Sequence, residues 1–474
     1  MPRSRRFLLF AVIGFVALLV VIAAGLLLFV DANVFKGRLE AAASEELGME
    51  FNVGGRLGIG FFPGVRVTLG DVHIRNRGLE VASAKEATLA IDLLPLLSKE
   101  VRIEKIALKS ARIIIESDRQ GLFNFERPPQ DRSPLPVLDW PNVSLVDTTV
   151  VYADQQSGHA FEASDCHAAV NRLRLAGGER TNLLKALSFT AELTCAALRA
   201  RGFTVSDLKS SVDAKNGVFE LKPITTRVLG TQGSGTVRAN FSGAVPVFQV
   251  HYALLQFPIE EFFKTLSHKN VAAGRMDFSA DLSMQGKTGH EWQQTLKGHI
   301  SLRGRNLTLI GSDLDRDLSR FESSQDFNLV DVGAFFIAGP LGLVVTKGYS
   351  FATILQGTGG SSEIQTLVSE WEVQGGVAHA QDVAMATRKN RIALQGGLDF
   401  VNDTFDDVTV AVIDAKGCAT VRQKIRGSFK SPVVEKPNFL ASLAGPALRL
   451  LKKGSELLGA HCDVFYDGSV AAPK

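Results

Sequence analysis

Residues 275–285 read Arg-Met-Asp-Phe-Ser-Ala-Asp-Leu-Ser-Met-Gln. In an extended chain Met276, Phe278, Ala280, Leu282 and Met284 share one side, while Arg275, Asp277, Ser279, Asp281, Ser283 and Gln285 share the other. Successive side chains of a strand point to opposite faces. This period of two therefore predicts a strand with one face dry or lipid-bathed and the other wet. The same rhythm recurs on either side. Val205 to Ala214, Val218 to Val228 and Thr236 to Phe241 read as strands before it, and further strands follow from about Leu341 to Phe429 and from Cys462 to Val470. Nearer the N-terminus, Val67 and Leu69 alternate with polar residues, then Val72 and Ile74 do so one position out of phase. A β-bulge at Gly70-Asp71 accounts for the slip. About twenty strands and few helices make this a mainly β protein.

Helical spacing is confined to short stretches. Val34, Phe35, Leu39, Ala42, Ala43 and Leu47 recur every three or four residues until Gly48. Pro258 opens a short helix carrying Ile259, Phe262, Phe263 and Leu266. Phe439, Leu440, Leu443, Ala444, Ala447, Leu448 and Leu451 trace an amphipathic helix near 438–453, kinked at Pro446 and ended by Lys452-Lys453-Gly454. The one long apolar run is Phe7 to Val30, which has no charge and no proline and is preceded by Arg3, Arg5 and Arg6. As a helix it would be roughly 36 Å long, enough to cross a ~30 Å hydrocarbon layer. The arginines keep the N-terminus cytoplasmic, so the bulk of the chain is expected on the far side of the membrane. A cleaved signal peptide is the competing reading, but its apolar region is usually only ~7–15 residues long.

Composition narrows the functional classes. A net charge of +3 with Lys and Arg dispersed among the acids leaves no basic stripe for nucleic acid. Thirty Phe against four Tyr and three Trp suit apolar interior or an acyl-lined cavity better than a polar recognition site. Cys166, Cys195, Cys418 and Cys462 form no CxxC pair, which argues against a zinc ribbon or a thioredoxin-like site. In an oxidising compartment they suggest two bridges, of which neighbours in sequence would give Cys166–Cys195 and Cys418–Cys462, although three connectivities remain open. Asp313, Asp315 and Asp317 have EF-hand spacing, but Leu318 and Ser324 stand where glycine and the closing glutamate are needed, so a polar turn is expected. His159 and His167 lack a third ligand nearby, and no phosphate loop, nucleophile elbow or zinc-protease motif occurs. No enzymatic activity, metal or cofactor is expected.

The ordered set of motifs resembles the AsmA family. At the front it comprises the apolar helix, Phe35-Lys36, Phe61-Phe62-Pro63-Gly64, Val67 to Val72, Leu93-Leu94-Pro95-Leu96-Leu97 and Gly121-Leu122-Phe123-Asn124-Phe125. Further on come Gly274, Gly286, Trp292, Leu296 and Gly298, then Gly311 to Asp315. The tail, Gly417-Cys418 with Cys462 to Gly468, is similar to that of shorter members and favours pairing Cys418 with Cys462. The resemblance implies a single-pass inner-membrane anchor with a cytoplasmic N-terminus and a periplasmic body. That body would be an elongated, curled antiparallel β-sheet forming a groove, with a few amphipathic helices. The expected organisation is an anchor at 1–30, an N-terminal module at 31–130, a middle β-rich region at 131–257 and a C-terminal module at 258–474. Twenty strands at ~4.8 Å would make a groove of roughly 95 Å at most, too short to cross a periplasm unaided.

The resemblance also implies a role in outer-membrane homeostasis, through phospholipid held in the groove. Met276, Phe278, Leu282 and Met284 are the candidate lipid-facing residues. The bland alternative is that they pack against a second sheet or a helix. A non-conducting scaffold for outer-membrane protein or lipopolysaccharide assembly is the other functional expectation. The expected partners are membrane phospholipid, the inner membrane and an envelope protein.

Overall fold

The computed structural model describes residues 33, 36–60, 64–92, 102–126, 137–155, 158, 160–176, 183–200, 203–264, 271–324, 336, 359–435, 438–439 and 464–473. Among the described residues no helix is long and apolar enough to cross a membrane. The Phe7–Val30 segment, the Leu93–Leu97 turn, most of the proline-rich stretch after Glu126, Cys462 and the expected helix beyond Phe439 lie outside them. The chain is mainly β and divides into two compact units: residues up to Ala196 with Val212–Gly217, and Ala197–Ser211 with Val218 onward.

The first unit opens with helix α1 (Lys36–Leu47), followed by β1 (Glu50–Val53), β2 (Leu57–Gly60), β3 (Val65–Asn76), β4 (Leu79–Ile91), β5 (Ile103–Ser117), β6 (Leu138–Asp154), β7 (Ala160–Leu175) and the one-turn α2 (Leu183–Ala186). Leu39 of α1 packs against Val53, Leu57, Leu69, Val72 and Ala87. The Val53 N–H donates to Glu40 Oε1 at 2.8 Å and the Phe51 N–H to Ser44 Oγ at 2.9 Å, which fixes α1 on β1. β1 and β2 both pair with β3, which continues antiparallel through β4 to β5.

One pairing corrects the all-antiparallel expectation. β5 and β6 run parallel, from Ile106↔Val143 to Ser117↔Asp154. Parallel neighbours need a crossover of a dozen or more residues, and the proline-rich connection after β5 provides it. That stretch, expected to separate two modules, therefore lies between paired strands of one unit.

Asn124 closes the end of this sheet. It is 1% exposed. Its Nδ2 donates to Ile114 O at 2.8 Å and Glu80 O at 3.1 Å, and its Oδ1 accepts the Glu116 N–H at 3.0 Å. Buried Asn76 donates to the carbonyls of Asn124 and Glu126, and Phe123 stacks on Phe125 at 5.1 Å. Taking the side chain from these half-buried backbone groups, which water then partly re-solvates, costs about 1–3 kcal/mol in all. Asn124→Ala is thus expected to destabilise the first unit by that amount, with Glu116 amide protection against hydrogen exchange falling in step. Unchanged protection at Glu116 would contradict this role.

β8 (Leu187–Ala200) and β9 (Phe203–Lys215) contribute residues to both units. The second unit contains β10 (Val218–Val228), β11 (Thr231–Asn240), β12 (Val247–Pro258), α3 (Ile259–Lys264), β13 (Ala272–Ala273), β14 (Arg275–Gln285), α4 (Gly289–Thr295) and β15 (Lys297–Ile310). It continues with α5 (Leu314–Ser324), β16 (Ser361–Gln374), β17 (Val377–Ala386), β18 (Arg391–Asp399), β19 (Thr404–Ile413), β20 (Ala419–Ser428), β21 (Ser431–Val434) and β22 (Asn438–Phe439). Its strands pair antiparallel in chain order from β10 to β20, except that β12 joins β14 directly and β13 folds onto β15. β21 and β22 both pair with β20, so Asn438 and Phe439 are extended where a helix was expected to begin. The expected last strand is also absent among the described residues. Only Val464 bridges Cys418, and the tail beyond it is irregular.

The two faces of this sheet bury different things. On one, Phe262 of α3, Leu314 and Leu318 of α5 and Phe336 join Phe257, Met276, Leu302, Trp371 and Met385 in a large core. On the other, Ala384, Ala393 and Ala411 stand in register beside Val368, and with Ala386 and Ala419 they form a shallow bed under Phe465, Tyr466 and Val470. β16 to β20 are therefore covered on both faces, which is why Ile392, Ala393 and Leu394 are buried in succession instead of alternating.

Candidate functional site

Register in the second unit turns the alternation of β14 into cross-strand rows. Leu221, Val237, Val250, Leu282, Gly298 and Val373 lie opposite one another on six neighbouring strands. Phe219, Ala239, Phe248 and Met284 form the next row toward α4. Leu221, Val237, Val250, Leu282 and Met284 are all half-buried. Gly298 has φ +140°, and a Cβ there would fall 1.9 Å from the Asp281 carbonyl oxygen, so only glycine fits this point of the row.

This apolar strip has two different ends. At one, Trp292 of α4 meets Phe248 edge-on at 5.0 Å, and the chain of rings continues through Phe241 to Phe219. α4 is capped at its N-terminus: Thr288 Oγ1 accepts the Glu291 N–H, and Glu291 Oε2 accepts the N–H of Lys287, one residue before the cap. Trp292 Nε1 donates to Gly286 O at 2.8 Å, which gives the Gly286…Trp292 spacing its physical meaning. At the other end the strip runs into the core. Met276 is 1% exposed and Phe278 6%, both enclosed with α3 and α5. Of the four residues expected to face lipid, the structure thus places two inside the protein's own core and leaves Leu282 and Met284 on the half-open strip.

The first unit carries a comparable face. Val67, Leu89, Ile106, Val143 and Val170 form one row, and Leu69, Ala87, Leu108, Leu145 and Ala168 the next. Asp71, Ser110, Asp147 and Asp165 have φ between 48° and 54°, and they fall in line across β3, β5, β6 and β7. Each flips the inward phase of its strand, so that Val72, Ala111 and Thr148 continue the face of Leu69, Leu108 and Leu145. Aspartate tolerates this left-handed backbone, and the strands from β3 to β6 keep register through the seam, a register shift appearing there only between β6 and β7. Beyond the seam Ile74, Ala82, Ile113, Val150 and Ala163 resume the apolar row. Hydrogen bonds to Glu80 at 2.7 Å and to Asp71 at 3.1 Å raise the His73 imidazole above its ordinary value, on the polar edge of this unit.

Other sequence features have structural roles. Cys166 and Cys195 are joined by a disulfide within the first unit, and Cys418 is disulfide-bonded. The aspartates at 313, 315 and 317 begin helix α5 where a polar turn was expected. Asp313 Oδ1 accepts the Arg316 N–H at 3.1 Å, Asp315 accepts from Asn390 at 2.7 Å and from Thr387, and Asp317 accepts from Ser312 at 3.2 Å. His167 stands 3.8 Å from Asp147, and His159 lies outside the described residues.

The tail is latched by polar contacts that spacing did not reveal. Tyr466 Oη and Ser469 Oγ donate to Asp382, and buried Arg391 donates to the Val470 and Asp414 carbonyls at 2.9 and 2.7 Å. Burial, followed by the Asp382 hydrogen bond, pushes the Tyr466 phenol well above its ordinary range and keeps it a donor. Gly417, at φ +86°, leaves no room for a Cβ, which would sit 2.0 Å from Tyr466 O.

A family model described as the AsmA family matches residues 1–174 and 136–335, together spanning 1–335 of the 474-residue chain. No curated protein and no solved structure matches.

Proposed function

The chain belongs to the AsmA family, an envelope-related family, and from that membership we propose that it is an inner-membrane-anchored periplasmic protein that holds or passes phospholipid along apolar sheet faces. Phe7–Val30 is the anchor, with the N-terminus cytoplasmic and both β units periplasmic. The observation that carries the reading is the half-buried strip Leu221–Val237–Val250–Leu282, an apolar cross-strand row beside a sealed core. Each acyl methylene transferred from water to such a surface gains about 0.8 kcal/mol, so a chain is held without any catalytic group. Contribution to outer-membrane homeostasis follows from moving that lipid.

Photo-crosslinking residues placed singly at Val237, Val250, Leu282 and Met284 in cells test this. Phospholipid adducts are expected at these positions. They are not expected at Met276 or Phe278 in the core, or at Thr236 and His251 on the wet face. Absence of lipid at all four strip positions sinks the proposal. A second reading, a scaffold for envelope assembly, is favoured by one observation: β16 to β20 are filled on both faces and leave no trough there. Recovery of an envelope protein without lipid adducts would select it.

A further inference from the structure

The wet face of the second unit holds an arrangement that chain order hides. His251 lies opposite Asp281, Asp281 opposite His299, His299 opposite Glu372 and Glu372 opposite His379. Three of the chain's nine histidines thus stand in one cross-strand row, alternating with two carboxylates over five neighbouring strands. All five side chains are exposed, and His251 Nδ1 is hydrogen-bonded to Asp281 Oδ1. His251, Asp281, His299 and Glu372 line an open depression of about 940 Å3, shared with Lys222, Arg238 and Lys297. Of these cations, Lys222 and Arg238 are both paired with Glu220.

We infer that His251, Asp281 and His299, with Glu372 beyond them, form a binding site for a borderline divalent cation of the Zn2+ class. Residues directly opposite on antiparallel strands have Cβ atoms about 4.5–5.5 Å apart. Two imidazoles therefore straddle the Asp281 carboxylate within reach of an ion above it, at Zn–N of about 2.0–2.1 Å and Zn–O of about 2.0–2.2 Å. Nitrogen and carboxylate donors without thiolate select Zn2+, Ni2+ or Cu2+ over Ca2+ and Mg2+. Among the described residues no three such side chains form a preassembled centre. Assembly instead takes rotamer changes of exposed side chains, which lose conformational freedom on binding the ion. The site is accordingly a reversible one, filled and emptied with the ambient ion, and neutral imidazoles are required to load it.

The test titrates Zn2+ alone into the full chain in detergent, without a histidine tag, by calorimetry and chelator competition. One saturable site in the micromolar range is expected. His299→Gln and Asp281→Asn should each weaken it at least tenfold, while His73→Gln and His290→Gln leave it unchanged. The 15N resonances of His251 and His299 should shift on Zn2+ addition, and that of His290 should not. No saturable binding, binding that survives both His299→Gln and Asp281→Asn, or unmoved His251 and His299 resonances would overturn the site. The resonance readout needs no variant, so it holds even if a substitution impairs folding.

Discussion

Leu282→Asp is expected to cut the phospholipid that co-purifies with the chain by about fiftyfold while leaving the fold in place. Leu282 is half-buried at the middle of its row, between Val250 on β12 and Gly298 on β15. A carboxylate there keeps its water and denies contact to about three acyl methylenes. At ~0.8 kcal/mol each this removes roughly 2.4 kcal/mol, and ~1.4 kcal/mol is a factor of ten in binding. The fold survives because the side chain borders the sealed core without being enclosed by it. Ser283→Asp, one residue along but on the wet face, should leave lipid content unaltered. Mass spectrometry of lipid extracted per mole of purified protein, beside thermal melts of both variants, reads the outcome. Equal lipid in Leu282→Asp and the parent would mean that the strip is not where acyl chains lie.

The strand content of this chain was legible because it rests on local alternation. Met276 to Met284 needs no knowledge of its neighbours to declare two faces, and the slip at Gly70-Asp71 marked a real change of phase with Asp71 left-handed. β3 and β4 stay in register through it, however, so it is not the bulge expected between them. What covers a face is not local. Met276 and Leu282 look equivalent in sequence, but α3 and α5, approaching from other parts of the chain, enclose one and not the other. The parallel β5–β6 pair was hidden for a similar reason, since alternation is the same for either strand direction. The alanines at 384, 393 and 411 carry a second kind of signal. Small residues at alternate positions of successive strands mark a surface approached closely by another segment, here Phe465 and Tyr466. The His251–Asp281–His299–Glu372 row could not be read from spacing, because its members lie on four strands and meet only through register.

Trp371→Ala is expected to destabilise the second unit by about 3–5 kcal/mol, the range for removing a large aromatic from a filled core. Trp371 is 0% exposed, sits opposite Ile300 and Ala380, and belongs to the cluster that holds α3 and α5 against the sheet. Its Nε1 donates to buried Ser369 Oγ at 2.8 Å, and that hydroxyl donates in turn to the Phe336 carbonyl. The variant therefore loses packing and leaves the serine with one partner fewer. Trp371→Phe retains most of the volume and forfeits mainly the hydrogen bond, so about 1 kcal/mol should suffice. Urea unfolding followed by far-UV circular dichroism separates the two, with disulfides intact. The comparison also bears on lipid handling. If acyl chains reached this far along the sheet, they would fill the space left by the indole, and Trp371→Ala would cost little in lipid-loaded protein. A loss of several kcal/mol that is the same with and without bound lipid confines the trough to the half-open strip and makes β16 to β20 the support on which that strip is held.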